Sequence, residues 1–314
     1  MLSRSKNILI LLSALLALLL VASGCGNSTK TTAPETPDNP FTLAKVGTDS
    51  TFEVMTWNLE HFAKNEKVTT DWVIQAVEGV DVDIIAMQEI SNGFRFQAVV
   101  DGLDGWSGFK ANSAGYDIDL AFLYKTDSHL QMESIQELMT DQWRPFPRSP
   151  LLFLGTFDGK PIAVINNHLK CCGDGVIDEE DSGDEETRRR DACLLLEDYV
   201  LENLSERRVY LVGDFNDELT DTGNRNVFAN FLGDPNQWLV ADMVIAEGDA
   251  SGWSFPGWPS HLDHIIINQP LFDAAGGADS EVTVIPLASF MPNGWIQYDH
   301  DISDHLPTVL KLKL

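Results

Sequence analysis

Val209–Asn216, VYLVGDFN, is the strongest local constraint in this 314-residue chain. Val209 to Val212 are β-branched, aromatic or apolar, the composition of a buried strand. Gly213 ends the run, and Asp214 and Asn216 follow at its C-terminal end. Two residues apart on an extended backbone, a carboxylate and a carboxamide point the same way. Ligands and catalytic groups collect at such strand ends. Taken alone, Gly-Asp-x-Asn is equally an Asx turn that closes a core strand, so other segments must decide.

A hydrophobic share of 44% supports a substantial core and excludes a disordered chain. Asp and Glu number 48 against 21 Lys and Arg, a formal net charge of −27. That charge repels polyanions at long range. A nucleic acid would need a local basic face, or metal ions that neutralise its phosphates.

Residues 1–25 read as a targeting signal rather than part of the fold. Arg4 and Lys6 precede an apolar run from Ile8 to Val21, short of the about 20 residues a spanning helix needs. The run ends in Ala22-Ser23-Gly24-Cys25, which resembles a bacterial lipoprotein signal, with Ala22 where Leu is more frequent. The resemblance implies export, cleavage before Cys25, and attachment to the membrane through its acylated thiol. An ordinary secretory signal with a chance Cys is the competing reading. Gly26-Asn27 lacks a retaining Asp and points to the outer membrane where the host has one. Residues 26–50, polar and rich in Pro and Thr, are expected to form a flexible tether. Residues 51–314 then form the folded domain. In an oxidising compartment Cys171, Cys172 and Cys193 are expected to give one disulfide, Cys193 with Cys171 or Cys172, and one free thiol.

Along the domain, strands are expected at Phe52–Trp57, Val82–Met87, Ile118–Tyr124, Leu130–Leu138, Leu151–Phe157, Pro161–Leu169, Val209–Val212, within His261–Asn268, at Val282–Pro286 and at Thr308–Leu312. Asp158-Gly159 is a strong hairpin signal. Helical spacing marks Thr70–Val80, Gly93–Leu103, Glu185–Leu204 and Asn226–Leu232. Ser251–Ser260 is an aromatic loop. The mixture predicts an α/β (α+β) protein with two packed sheets flanked by helices.

Polar residues recur where these strands begin or end: Asn58, Glu89, His168, Asp214, Asn216, Asp263, Asp304 and His305. Any one is readily a turn residue, a solvated strand end or a satisfied core histidine. Eight together are harder to dismiss. Trp57-Asn58, Gln88-Glu89, Asn167-His168-Leu169, Gly213-Asp214-Phe215-Asn216, Leu262-Asp263-His264-Ile265 and Ser303-Asp304-His305-Leu306-Pro307 also occur in a telling order. On these motifs, the stretch from Thr51 to Leu314 resembles the endonuclease/exonuclease/phosphatase superfamily, the DNase I-like fold. The resemblance implies a four-layer α/β/β/α sandwich of two packed mixed sheets.

It also implies a metal-dependent hydrolase that cuts phosphoester bonds, most often a nuclease. Glu89 is implied as the principal Mg²⁺ or Mn²⁺ ligand, with Asn58 and Asp304 nearby. His305 would act on the attacking water, with Asp263 orienting its imidazole. Asp214 and Asn216 would position the nucleophile and scissile phosphate, and His168 would donate to a phosphate oxygen or assist the leaving group. Arg148 and Tyr116 are expected to contact substrate, and Tyr116, Asp117 or Asp119 to orient His168. His264 and His261 depart from the family pattern, standing where Tyr and Arg are frequent, and are expected to shift substrate preference. Partners would be nucleic acid or another phosphoester, met by a monomer.

Lys170–Glu186, KCCGDGVIDEEDSGDEE, reads as an acidic insertion directly after His168. Asp174-Gly175-Val176-Ile177-Asp178 has part of the EF-hand pattern, but Lys170 and Cys172 occupy its first acidic positions. A solvated loop pinned by a disulfide, with at most weak Ca²⁺ binding at 174–186, is expected. Two further functions compete: a phosphatase or phosphodiesterase acting on lipid headgroups or sugar phosphates, and a catalytically silent surface binding lipoprotein. The intact residue set argues against silence.

Overall fold

A computed structural model describes residues 39–114 and 118–314. The expected signal at residues 1–25, the expected lipidation position Cys25, the expected tether up to residue 38, and Tyr116 and Asp117 lie outside them.

Twelve strands form two six-stranded sheets. They are β1 (Phe52–Phe62), β2 (Ile84–Ile90), β3 (Trp106–Lys110), β4 (Asp119–Lys125), β5 (Leu130–Glu137), β6 (Leu151–Phe157), β7 (Lys160–His168), β8 (Arg208–Asp214), β9 (Trp238–Val240), β10 (Asp263–Asn268), β11 (Glu281–Val284) and β12 (Thr308–Leu312). One sheet has the order β11-β12-β1-β2-β4-β3, the other β5-β6-β7-β8-β10-β9. Inward residues such as Phe52, Val54, Ile84, Phe122, Phe153, Val164, Tyr210 and Val212 form a core between the sheets. Helices α1 (Glu66–Val80) and α2 (Gly93–Asp101) cover the outer face of the first sheet, with a further helix over Gly294–Asp301. Helix α3 (Glu185–Asn203) covers the second. Each strand of the interior buries both faces, which is why near-continuous apolar runs such as Val209–Val212 read as strands. The four-layer α/β/β/α expectation holds.

Several boundaries differ. β1 continues past Trp57 to Phe62, carrying Asn58 within the strand. β3, β9 and the helix over Gly294–Asp301 were not expected from sequence. β3 and β9 are short edge strands at the ends of their sheets, with little alternation to mark them. Phe41 is fully buried against α1, and the Val46 amide donates to the Val80 carbonyl. Packing therefore begins before Thr51, where tether was expected to change to domain.

The topology brings the strand ends together. β1 and β2 run parallel, as do β7 and β8, so each pair finishes at the same edge of its sheet. β10 runs antiparallel to β8 and starts where β8 ends, with Asp263 directly opposite Asp214. β12 runs antiparallel to β1, Thr308 opposite Thr56, so the Asp304-His305 segment before it lies at the end of β1. One end of the sandwich thus collects residues from five strands. Gly213, at φ 143°, lets β7 and β8 meet here, since a Cβ would lie 2.0 Å from the Asn167 carbonyl oxygen. Behind this end, buried Gln88 donates to Thr56 Oγ1 (3.0 Å) and Asn166 Oδ1 (2.7 Å), joining the two sheets.

Candidate active site

A cleft of about 390 Å³ opens at that end, lined by Asn58, Glu89, Arg148, His168, Asp214, Asn216, Asp304 and His305 among others. The chain reaches these positions by leaving regular geometry. Register shifts follow Asn58 in β1 and Met87 in β2, and bulges of this kind re-aim side chains. Glu89 and Asn216 both adopt left-handed backbone, at φ 62° and 54°. Non-glycine residues hold that conformation only where their surroundings enforce it. The Glu89 carboxylate is fixed by the His61 amide at 3.0 Å, and Asp214 Oδ1 by the Asn216 amide at 2.9 Å.

The Asn58 amide nitrogen bridges the sheets, donating to Asp214 Oδ2 at 2.9 Å and to Glu89 Oε1 at 3.4 Å. His305 Nδ1 bonds Asp263 Oδ2 at 2.8 Å, leaving Nε2 facing Asp214 and Asp304, each at 3.9 Å. Phe255, from the aromatic loop, lies over the His305 ring with centroids 4.7 Å apart. The backbone of the Asp304-His305 turn is tied down: Ser303 Oγ donates to the Asn58 carbonyl, and Tyr298 hydroxyl donates to the His305 carbonyl.

Burial opposes charge throughout this cluster. For His305 it is outweighed by Asp263, then Asp214 and Asp304, and the imidazole is pushed up to about 10. Burial raises Asp214 to about 6, although His305 works against the rise. Asp304 is likewise raised to about 6 by burial, aided by Glu60 and Glu89. His168, deeply buried and facing Arg148, His305 and His61, is lowered well below the ordinary histidine value. The two histidines are therefore driven apart: one holds a proton, the other stays neutral. Such opposed pairs mark acid and base positions in enzymes.

The predicted metal residues suit a divalent cation. Glu89 and Asp304 offer hard oxygen donors in the cleft lining, and Asp304 Oδ1 is buried with no hydrogen-bond partner among the described residues. One ligand atom each of Asp214, Asp263 and His305 also lies within 4.8 Å of the others. There, His305 Nδ1 and Asp263 Oδ2 are already hydrogen-bonded to each other at 2.8 Å.

Some expectations are corrected. Asp119 pairs with Lys110 and accepts from the Ala114 amide, so it does not orient His168. His168 Nδ1 has no partner among the described residues. His261 and His264 do not face substrate. Both are fully buried and share Asp242 Oδ2, at 2.9 Å and 2.7 Å, as part of the core. The three described cysteines are free. Cys193 is buried under the second sheet, while Cys171 and Cys172 lie in the cleft wall, Sγ to Sγ 3.1 Å. Arg148 lines the cleft as expected, its guanidinium near the Leu169 carbonyl at 3.4 Å. Glu60, His61 and Phe255 also line it and were missed. The first two follow Asn58 within β1, and only the true length of that strand reveals them.

Two sheets whose convergent strand ends hold carboxylates, amides and two opposed histidines define a metal-dependent hydrolase of phosphoester bonds. The chain belongs to the Endonuclease/Exonuclease/phosphatase family, whose model matches residues 55–305. Solved structures agree in fold. A D. rerio TDP2 complexed with single-strand DNA product is 13% identical, covers 85% of this chain and 100% of its own, and superposes with a TM-score of 0.63. Bacteroides thetaiotaomicron mannosyl-6-phosphatase is 16% identical, covering 84% and 100%, with a TM-score of 0.60. The human Nocturnin catalytic domain with bound sulfate is 16% identical, covering 85% and 96%, with a TM-score of 0.57. No curated protein sequence matches the chain.

Proposed function

We propose that the protein is an exported phosphodiesterase that cuts nucleic acid, with a single-stranded end as substrate. The observation that carries the reading is the His305–Asp263 pair, aimed by its free Nε2 at the space between Asp214 and Asp304. Acting from its deprotonated form, His305 Nε2 would take the proton of a water held by Asp214 and Asn216. Asp263 fixes the ring through Nδ1 and stabilises the charge it gains. Glu89 and Asp304, aligned by Asn58, would hold Mg²⁺ or Mn²⁺, which when bound offsets their charge and polarises the phosphoryl oxygen. His168, neutral, would donate through Nε2 to a phosphate oxygen, and Arg148 would contact the same group.

Support for nucleic acid comes from the TDP2 fold relative, solved with single-strand DNA product. A second reading, a phosphatase of small sugar phosphates, is favoured by charge. Among the described residues Arg148 is the single Lys or Arg in the cleft lining, and the acidic 174–186 segment follows Cys171 and Cys172 in its wall. The test is a paired assay of the full chain with Mg²⁺. Shortening of a 5′-labelled single-stranded oligonucleotide supports the first reading. Inorganic phosphate release from mannose 6-phosphate, with the oligonucleotide untouched, replaces it with the second. No hydrolysis of either across Mg²⁺, Mn²⁺ and Ca²⁺ revives a purely binding role.

Within the same reading, the protein is tethered through acylated Cys25, in the outer membrane of a host that has one, and acts as a monomer. Among the described residues no helix is long and apolar enough to cross a membrane. Mass spectrometry of the mature N-terminus, showing an unmodified Gly26 or an intact signal, would refute the lipid tether.

A further inference from the structure

The segment between β7 and α3 supplies a second set of oxygen donors, separate from Glu89 and Asp304. Asp174 stands in the loop, Asp184 caps α3, and Glu186 sits in its first turn. One carboxylate oxygen from each lies within 4.8 Å of the others. That is the span across a single cation with bonds of about 2.4 Å, the middle of the calcium range.

Asp184 Oδ2 already accepts the Thr187 amide at 2.6 Å, and Asp174 Oδ1 the Val176 amide at 3.0 Å. Glu186 is different, because its side chain is 1% exposed. Its Oε1 accepts the Gly175 amide at 2.7 Å and faces Arg189 at 3.0 Å. Its Oε2 is buried with no hydrogen-bond partner among the described residues. A buried carboxylate oxygen left without a partner costs about 1–3 kcal/mol, which a donor or cation placed there would relieve.

Arg189 offsets one of the three carboxylates, and it is also held by Asp217 at 2.7 Å and by the Lys170 and Cys172 carbonyls. Because Asp217 shares that one cation, the three carboxylates keep at least two negative charges, enough to hold a dication. The site is built into the fold rather than floating. Ile177 packs on the core beneath the second sheet, and its amide donates to the Asn224 carbonyl at 2.8 Å. Gly173, at φ 109°, lies against Glu186, where a Cβ would come within 2.4 Å of Oε2.

We propose that Asp174, Asp184 and Glu186 bind a structural Ca²⁺ that fixes the loop forming one wall of the cleft. Oxygen-only donors of mixed exposure suit calcium, with waters completing its shell, better than the strict octahedron of Mg²⁺. The affinity expected of such an exported site is about 10⁻⁴–10⁻³ M.

The test is calorimetric titration of CaCl₂ into the full chain under excess Mg²⁺, alongside thermal unfolding. Wild type should take up one Ca²⁺ and unfold at a higher temperature with it. Asp174→Asn keeps the Val176 contact and sits in an exposed loop, so it should fold, bind Ca²⁺ at least 10-fold more weakly, and lose the thermal shift. Glu186→Gln should do the same where it folds. Glu89→Ala should bind Ca²⁺ as wild type does. No uptake by wild type, or unchanged uptake by Asp174→Asn, overturns the site. Loss of uptake in Glu89→Ala alone moves the ion to the catalytic cleft and overturns it equally.

Discussion

Replacing Asp263 with Asn should slow hydrolysis and shift the titration of His305, and neither effect should add to loss of the histidine. The His305 Nδ1 to Asp263 Oδ2 bond is 2.8 Å long, with Asp263 fully buried. A hydrogen bond to a charged group contributes about 1.5–3 kcal/mol. Divided by 1.36 kcal/mol per decade, that is roughly a 10- to 150-fold loss in rate and a fall of about 1–2 units in the His305 pKa. His305→Ala removes proton transfer itself, roughly 10²–10⁴-fold. If the pair acts as a unit, the double variant should resemble His305→Ala. If the residues act independently, losses multiply to about 10³–10⁶-fold. The assay is kcat/KM for wild type, both singles and the double on bis(p-nitrophenyl) phosphate. NMR titration of His305 in wild type and Asp263→Asn reads the shift directly. Unfolding temperature in each variant controls for structure. Multiplicative losses, or an unmoved His305 titration, would sink the pairing and leave Asp263 as a strand-start residue with no part in the chemistry.

Other perturbations probe separate links. Glu89→Ala removes an oxygen ligand, so half-maximal activity should need at least 10-fold more Mg²⁺ by the ligand logic above; an unchanged metal titration would remove Glu89 from the metal set. Glu53, fully buried with Oε2 unpartnered, is raised by burial from 4.5 to about 8, with Asp83 adding to the rise. The fold keeps that proton while the unfolded chain releases it, so stability is full below pH 4.5 and declines as pH rises towards 8. Glu53→Gln should flatten denaturant-measured stability across that window, and a slope identical to wild type would show that Glu53 is ionised in the fold. Cys193, fully buried, has its thiol pushed up by burial, whereas Cys172 is exposed. Of the three described cysteines, an aromatic disulfide reagent should label Cys171 and Cys172 in the reduced native protein and spare Cys193; fast reaction of Cys193 would contradict the packing beneath the second sheet. Gly213→Ala puts a Cβ 2.0 Å from the Asn167 carbonyl oxygen, so β7 and β8 must separate, at a cost of roughly 3 kcal/mol or more by the strain such sites carry. Denaturant unfolding within 1 kcal/mol of wild type, taking about that as ordinary for a point change, would show that the strands yield without penalty.

The amino-acid sequence by itself determined the strands of the interior, because their apolar runs are continuous and leave the backbone no polar face to expose. It also determined the chemical types at their ends: Asn58, Glu89, His168, Asp214, Asn216, Asp263, Asp304 and His305 all precede, interrupt or follow such runs, and all but Asp263 line one cleft, with Asp263 hydrogen-bonded to His305. What the sequence could not decide was the company each residue keeps. Asp119 and Asp263 look alike as acids at strand starts. Register places one beside Lys110 and the other opposite Asp214. His264 adjoins Asp263 in the chain, yet alternation turns it to the opposite face of β10, where Asp242 captures it. Cys193 follows Cys172 closely in the chain but lies on the buried face of α3, and all three described thiols are free. Glu60 and His61 entered the cleft only because β1 runs five residues beyond Trp57 through a bulge. Local pattern fixes which residues are extended, apolar or polar. Parallel and antiparallel pairing alone fixes which polar ends meet, because that depends on contacts between segments as far apart as Asn58 and Ser303.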